Sequence, residues 1–246
     1  MLRRVSTYLV VGVAFTALGY VIGTSPILSL ALSRVPTDEK SLTLFNPEDE
    51  TTANIERQLQ LHPLVAQMRA DPLFEESRPH MKLPPATRAV NLTAGTLLGP
   101  GKLVLPPLVF GARDGSQLVS LLFVGAKLCG HPGIIHGGLL ATMLDEGLAR
   151  CCFPALPNKI GVTASLKVDY RKPCPADNFV VLKASTIIVE GRKAWVKGRV
   201  ESLVDPSKDE LPVVYAEAEA LFVEPKFAAV SLLVSDNELQ KSYTGY

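Results

Sequence analysis

Apolar and polar positions change rhythm several times along this chain, and each rhythm predicts an element. From Tyr8 to Thr24 the text YLVVGVAFTALGYVIGT carries no charge, Arg3 and Arg4 precede it, and the first acidic residue is Asp38. About 20 apolar residues span a bilayer core, a length this run reaches only if its continuation through Leu32 contributes. Residues 34–50 are polar and contain Pro36 and Pro47, as in a linker. Between Glu48 and Ala70, the residues Ile55, Leu59, Leu61, Leu64, Val65 and Met68 recur at helical spacing among charges. Pro63 divides that stretch into two short helices. Prolines at 79, 84, 85, 100, 106 and 107 then predict an irregular approach to the main domain.

Strand-like text begins near Leu103. LVLPPLVF and QLVSLLFVG flank the turn signal Ala112-Arg113-Asp114-Gly115-Ser116, which reads as a hairpin. GHPGIIHGG follows, and then LLATMLDEGLARCCF, a helix closed by Pro154 and Pro157. Beyond it GVTASLKVDYRKP alternates, with Val162, Ala164, Leu166 and Val168 expected on one face. NFVVLKASTIIVE and KAWVKGRVESL flank Gly191-Arg192 as a second hairpin. VVYAEAEALFVE sets Glu217 and Glu219 opposite Ala216, Ala218 and Ala220. Two strands, one helix and about four more strands predict an α+β domain, with a helix against an antiparallel sheet.

Composition narrows the classes. The chain has 246 residues, 47% of them hydrophobic and 20% charged, which excludes wholesale disorder. Lys+Arg 25 against Asp+Glu 24 gives a net charge of +1, so no broad nucleic-acid surface is expected. Cys129, Cys151, Cys152 and Cys174 form no C-x-x-C pair and read as free thiols. His131 and His136 have no further His or Cys at metal spacing, so no metal site is expected.

The apolar start admits three readings: a membrane anchor, a cleaved secretory signal, or a mitochondrial targeting segment retained as an anchor. Its acid-free, Arg/Ser/Thr-containing character favours the third, anchored in the inner membrane. The sequon Asn91-Leu92-Thr93 reads as a chance tripeptide. The expected organisation is a targeting and anchor segment over 1–33 and a linker with a helical extension over 34–105. The main domain follows over 106–225, with a tail over 226–246 that has no readable role.

The chemistry concentrates in His136-Gly137-Gly138, followed by six residues and then Asp145. Glycines at a helix start leave backbone N–H groups open to a ligand, because no Cβ blocks approach. Those groups carry the positive end of the helix dipole and would polarise a docked carbonyl as an oxyanion hole does. Asp145 falls on the same helical face as Gly138 but roughly 10 Å further along the axis. One Asp cannot readily serve a carbonyl held at the start of its own helix. Two copies packed antiparallel would bring Asp145 of one near Gly138 of the other. The alternative is a glycine-rich loop with a buried, capping Asp.

HPGIIHGGLLATMLDEGLARCC, VTASLKVDYRKPCP, VEGRKAWVKGRVES and VYAEAEALFVE together resemble the hotdog-fold acyl-CoA thioesterase superfamily, in its mitochondrial HGG-x6-D form. The resemblance runs from about Pro106 to Glu224. It implies a hotdog fold, a sheet wrapped around one long central helix, and a homodimer or dimer of dimers with sites at the interface. It implies hydrolysis of acyl-CoA to a fatty acid and coenzyme A, which is part of the substrate, with no separate cofactor. Carried over, Gly138 presents the N–H that polarises the carbonyl, with His136 and Gly137 shaping the turn. Asp145 of the facing subunit acts as general base or nucleophile, and Thr163 orients the water or the carboxylate. Arg171 and Arg192 match basic positions beside the coenzyme A channel, with Lys193 assisting.

Two positions depart from the pattern. Gly130 stands where some relatives have Asn, six residues before the motif His. Asp169 stands where relatives carry Asn, which weakens attraction for a polyanionic coenzyme. These departures keep a second reading open: a non-catalytic, membrane-anchored module that binds acyl groups or partner proteins. A hydratase on the same fold would need a D-x4-H-type signature, which is absent. Glu146 projects to a different helical face from Asp145 and reads as a polar neighbour rather than a second base.

Overall fold

The computed structural model describes residues 35–226, so the expected N-terminal anchor and the C-terminal tail lie outside the described residues. No helix among the described residues is long and apolar enough to cross a membrane.

The extension holds α1 (Asp38–Leu42), α2 (Glu50–Gln60) and α3 (Pro63–Ala70), then β1 (Phe74–Ser77), α4 (Pro79–Lys82) and α5 (Pro85–Ala89). Asp49 starts α2 by accepting the Thr52 N–H at 2.8 Å. Pro63 occupies the first turn of α3, where its missing N–H costs nothing, so the predicted division into two helices is present. Asn91 of the sequon accepts the N–H groups of Thr93 and Ala94 and caps a short π-turn over Leu92–Thr96.

The main domain then runs β2 (Leu108–Ala112), β3 (Gln117–Val124), β4 (Cys129–His131), β5 (Ile134–Ile135), α6 (Gly137–Cys152), β6 (Val162–Tyr170), β7 (Asn178–Glu190), β8 (Lys193–Ser202) and β9 (Val214–Val223). β4 and β5 make a small ribbon, while the other seven strands form one antiparallel sheet in the order β1-β2-β3-β7-β8-β9-β6. The sheet wraps α6, the arrangement expected of the hotdog fold. Both predicted hairpin turns are present, with Gly115 at φ +75° and Gly191 at φ +56°.

Two cores fill the domain. On the helix side, Leu140, Leu144 and Leu148 of α6 meet Leu118, Leu182, Val196 and Phe222 of the sheet. On the other side, Leu108, Phe110, Val119, Leu121 and Val181 are covered by Leu59, Val65 and Met68 of the extension. β3 is therefore buried on both faces, which is why its sequence is a continuous apolar run.

The extension differs from the expected linker with helices. It adds β1 to the sheet edge beside β2 and forms one compact unit with the main domain. Arg78, 1% exposed, pins it there. Its guanidinium donates to Pro106 O at 2.5 Å and Glu56 Oε1 at 2.6 Å and lies 5.3 Å over the Phe45 ring.

The predicted face of β6 is corrected at its start. The ladder with β9 steps from Thr163 opposite Phe222 to Ser165 opposite Leu221, so Ala164 is an extra, bulged residue. Leu166 and Val168 point inward as expected, whereas Val162 is 55% exposed and Thr163 shares the face of the buried Phe222.

Candidate active site

His136 stands at the N-cap of α6 in an extended conformation, and its Nδ1 accepts the Gly138 N–H at 2.9 Å. That bond requires the lone pair on Nδ1, so a neutral ring carries its proton on Nε2. The expectation that Gly138 offers the open donor is thereby corrected: its N–H is already engaged. Leu139 N–H returns to His136 O at 2.9 Å, while the Gly137 N–H has no acceptor among the described residues. Unpaired donors are a property of the first helical turn, and the one left for a ligand belongs to Gly137.

Gly137 is held from the strand side. Tyr170 at the end of β6 donates its hydroxyl to Gly137 O at 2.9 Å, a role that the sequence did not disclose. A Cβ built on Gly137 would sit 3.2 Å from Tyr170 Cε1, and one on Gly138 would sit 2.9 Å from His136 Nδ1. The closeness of both ring systems accounts for two glycines in succession. Gly130 lies beneath the same turn, where a Cβ would come within 3.0 Å of His136 Cδ2. A side chain at this position would crowd this ring.

Asp145 is half-buried on α6, and Thr163 Oγ1 donates to its Oδ1 at 2.8 Å. The bulge at Ala164 produces this contact, because without it Thr163 would face away from the helix. Gly137 and Asp145 are eight residues apart on one helix, about 12 Å along the axis. The protomer therefore holds the donor and the carboxylate at separate places on one edge.

The basic candidates are not brought together within one protomer. Arg171 follows the end of β6, and its Nε donates to Glu217 Oε2 at 2.6 Å, with Asp169 Oδ2 at 4.0 Å. Arg192 lies in the β7–β8 turn, and its Nη1 donates to Glu224 O at 2.6 Å. Across the ladder that turn aligns with Val162, at the other end of β6 from Tyr170, about 23 Å away at strand rise. Arg171 thus lies near the Gly137 end of the helix and Arg192 near the Asp145 end. Lys193 is exposed beside Arg192, and Asp169 pairs with Lys167 Nζ at 3.4 Å.

Around the helix from Asp145, Glu146 Oε1 meets His80 Nε2 at 3.1 Å and Arg150 Nη2 at 2.9 Å. Burial pushes the Glu146 carboxyl up, but the hydrogen bond and charge of His80, with Arg150 and Thr93, outweigh it and bring it down to about 2. Burial pushes the Cys151 thiol up to about 11 and Cys152 up to about 12, which leaves neither a nucleophile.

The chain is similar to one family and, among other relatives, to three known proteins. The model of the thioesterase superfamily matches residues 132–205. An uncharacterized mitochondrial protein of Candida albicans is 40% identical over 136 residues, 55% of this chain and 60% of that one. A UPF0644 protein of Schizosaccharomyces pombe is 34% identical over 183 residues, 74% of this chain and 69% of that one. Mouse acyl-coenzyme A thioesterase THEM4 is 35% identical over 116 residues, 47% of this chain and 46% of that one. The chain thus spans less than two thirds of the Candida protein and about half of the mouse enzyme.

Proposed function

The chain belongs to the thioesterase superfamily, and from that premise we propose that it hydrolyses acyl-CoA thioesters at a site shared between two copies of itself. The observation that carries the proposal is the 2.8 Å hydrogen bond from Thr163 to Asp145 on the helix that begins with His136-Gly137-Gly138. Thr163 occupies Oδ1, which leaves Oδ2 to take a proton from water. The hydroxide adds to the thioester carbonyl, and the Gly137 N–H at the positive end of α6 stabilises the oxyanion. Collapse breaks the carbon–sulfur bond. Coenzyme A leaves as thiol with the proton returned by Asp145, and the free acid remains.

The 12 Å offset between donor and carboxylate favours a two-fold arrangement that sets two α6 helices antiparallel (about eight residues of helical rise). β6 supports it: this strand is a sheet edge, with Val162 and Tyr170 each 55% exposed. In that arrangement Arg171 of the protomer that supplies Gly137 and Arg192 of the one that supplies Asp145 flank a single site. In this reading both would meet coenzyme A phosphates, with Lys193 beside Arg192. The mitochondrial naming of the Candida relative supports a mitochondrial setting, with the N-terminal apolar segment as its membrane attachment.

The test is thiol release from a panel of acyl-CoAs by the purified full chain. Removing a general base costs about 10²–10⁴-fold, so Asp145→Ala should lose at least a hundredfold in kcat. Unchanged activity in that variant would end the assignment. Binding of acyl-CoA without cleavage by the wild type would favour the non-catalytic module.

A further inference from the structure

α6 is tied where the chemistry lies. Tyr170 holds Gly137 O at the helix start, Thr163 holds Asp145, and Cys151 near the far end touches Thr186 Oγ1 at 3.6 Å and Gly115 O at 3.8 Å. All these ties reach strands or turns of the main domain. Glu146 is tied differently. Its partner His80 comes from α4 in the extension, 66 residues away, and Thr93 Oγ1 of the same extension stands 3.3 Å from His80 Nε2.

An ionised carboxylate only accepts hydrogen bonds, so His80 turns its Nε2–H to Glu146. The ring is 4% exposed, and this orientation leaves its Nδ1 buried without a partner. A buried donor or acceptor without a partner is unfavourable, and an apolar side chain would fill the place more cheaply. Packing holds the opposite face of this turn, where Gly147 lies so close to Leu182 that a Cβ would come within 2.6 Å of its methyls. A small pocket of about 30 Å³, room for about one water, opens beside the clamp and is lined by His80, Thr93, Ser120, Met143, Glu146 and Arg150. The polar clamp fixes the face of α6 that turns to the extension, which the packing on the sheet does not reach.

We propose that His80 is a positioning residue. Through Glu146 it sets the rotation and height of α6, and thereby the aim of Asp145, one residue earlier and about 100° around the helix. Thr163 grips that turn of the helix from β6 and His80 from the extension, so the extension is part of the catalytic apparatus without touching substrate. The inference rests on the thioesterase reading of Asp145. A misplacement of about 1 Å far from the chemistry lowers a rate by as much as a hundredfold.

The experiment compares the full-length wild type with His80→Ala, His80→Gln and Thr93→Val. It reads kcat and KM for an acyl-CoA, affinity for a non-hydrolysable thioether analogue, and amide hydrogen exchange across residues 143–148. His80→Ala should lower kcat at least tenfold, with KM and analogue affinity within twofold and exchange faster at 143–148. His80→Gln, whose amide N–H can reach Glu146, should recover most of kcat. Thr93→Val, which keeps the ring in place, should fall between. Unchanged kcat in His80→Ala would overturn the proposal, as would a kcat loss that Gln does not rescue. A matching loss of analogue binding would overturn it too, because a general structural role predicts that pattern. A wild type that cleaves no acyl-CoA defeats the thioesterase reading. Exchange then decides the clamp alone, and unchanged exchange at 143–148 in His80→Ala refutes it.

Discussion

In the proposed mechanism one hydroxyl decides which oxygen of Asp145 is free to act. Thr163 Oγ1 fixes Oδ1 at 2.8 Å, so the carboxylate cannot turn about its own axis without losing that bond. A hydrogen bond to a charged group contributes about 1.5–3 kcal/mol. Thr163→Val should therefore lower kcat by about ten- to a hundredfold, while Thr163→Ser stays within about threefold. Steady-state thiol release checks both, and equal loss in the two variants would show that packing rather than the hydroxyl matters. Glu146 makes a second prediction at this scale. Its carboxyl falls to about 2 in the folded chain from an ordinary 4.5. A depressed carboxyl stabilises the fold fully above its unfolded value and loses that contribution as pH falls towards the folded one. Between pH 4.5 and 2 the wild type should lose stability more steeply than Glu146→Gln, as followed by chemical denaturation at several pH values. Parallel curves would mean that the His80 and Arg150 contacts do not hold the charge. The partner of Glu146 was not legible in the sequence, because a bond across 66 residues leaves no local pattern. The HGG-x6-D spacing was legible, since it lies within a single helix. The identity of the open donor was not, because it depends on which way the His136 ring turns.

Strand order and strand faces are set by different information. The hairpins, α6 and the Glu217/Glu219 alternation followed from periodicity and turn residues, which are local. The bulge in β6 did not, since Ala164 fits the inward alternation as well as its neighbours do. Only the pairing with β9 shows that one residue is extra, and that residue turns Thr163 towards Asp145. β1 was missed for a similar reason: Phe74–Ser77 reads FEES, too short and polar to signal a strand until β2 pairs with it. The weight of the extension is hidden in the sequence because its packing partners lie far along the chain. Without it, Leu108, Phe110, Val119, Leu121 and Val181 would face water. Exposing five large side chains costs on the order of 10 kcal/mol. A whole domain has only about 5–15 kcal/mol to lose. A chain beginning at residue 106 should consequently fail to give a cooperative thermal transition by circular dichroism. Within the full chain, Arg78→Ala should lose about 3–5 kcal/mol, because it strands the Glu56 carboxylate. Arg78→Met together with Glu56→Leu should recover much of that loss in denaturant titrations. A cooperative fold from residue 106 would return the extension to the status of a linker.

For the whole molecule the decisive quantity is the 12 Å that separates Gly137 from Asp145 on a rigid helix (about eight residues at helical rise). No side-chain motion closes that distance, so in the proposed mechanism one protomer alone cannot join the Gly137 donor to its own Asp145 carboxylate. Two copies related by a two-fold axis along the β6 edges can, each supplying what the other lacks. In the proposed mechanism activity is a property of the pair, which allows rescue between dead variants. Asp145→Ala keeps the donor and loses the base. Gly137→Val keeps the base, and its added side chain starts 3.2 Å from the Tyr170 ring, which distorts the donor. Each variant alone should be inactive. Unfolded and refolded together in equal amounts, half of the dimers are mixed, and each mixed dimer has one complete site and one doubly damaged site. About a quarter of wild-type activity should return, on the assumption of random two-fold pairing. The recovered activity should also disappear on dilution below the dimer dissociation constant, with sedimentation following the same curve. A site contained within one protomer predicts no recovery at any mixing ratio, because every chain in the mixture is then damaged at its own site.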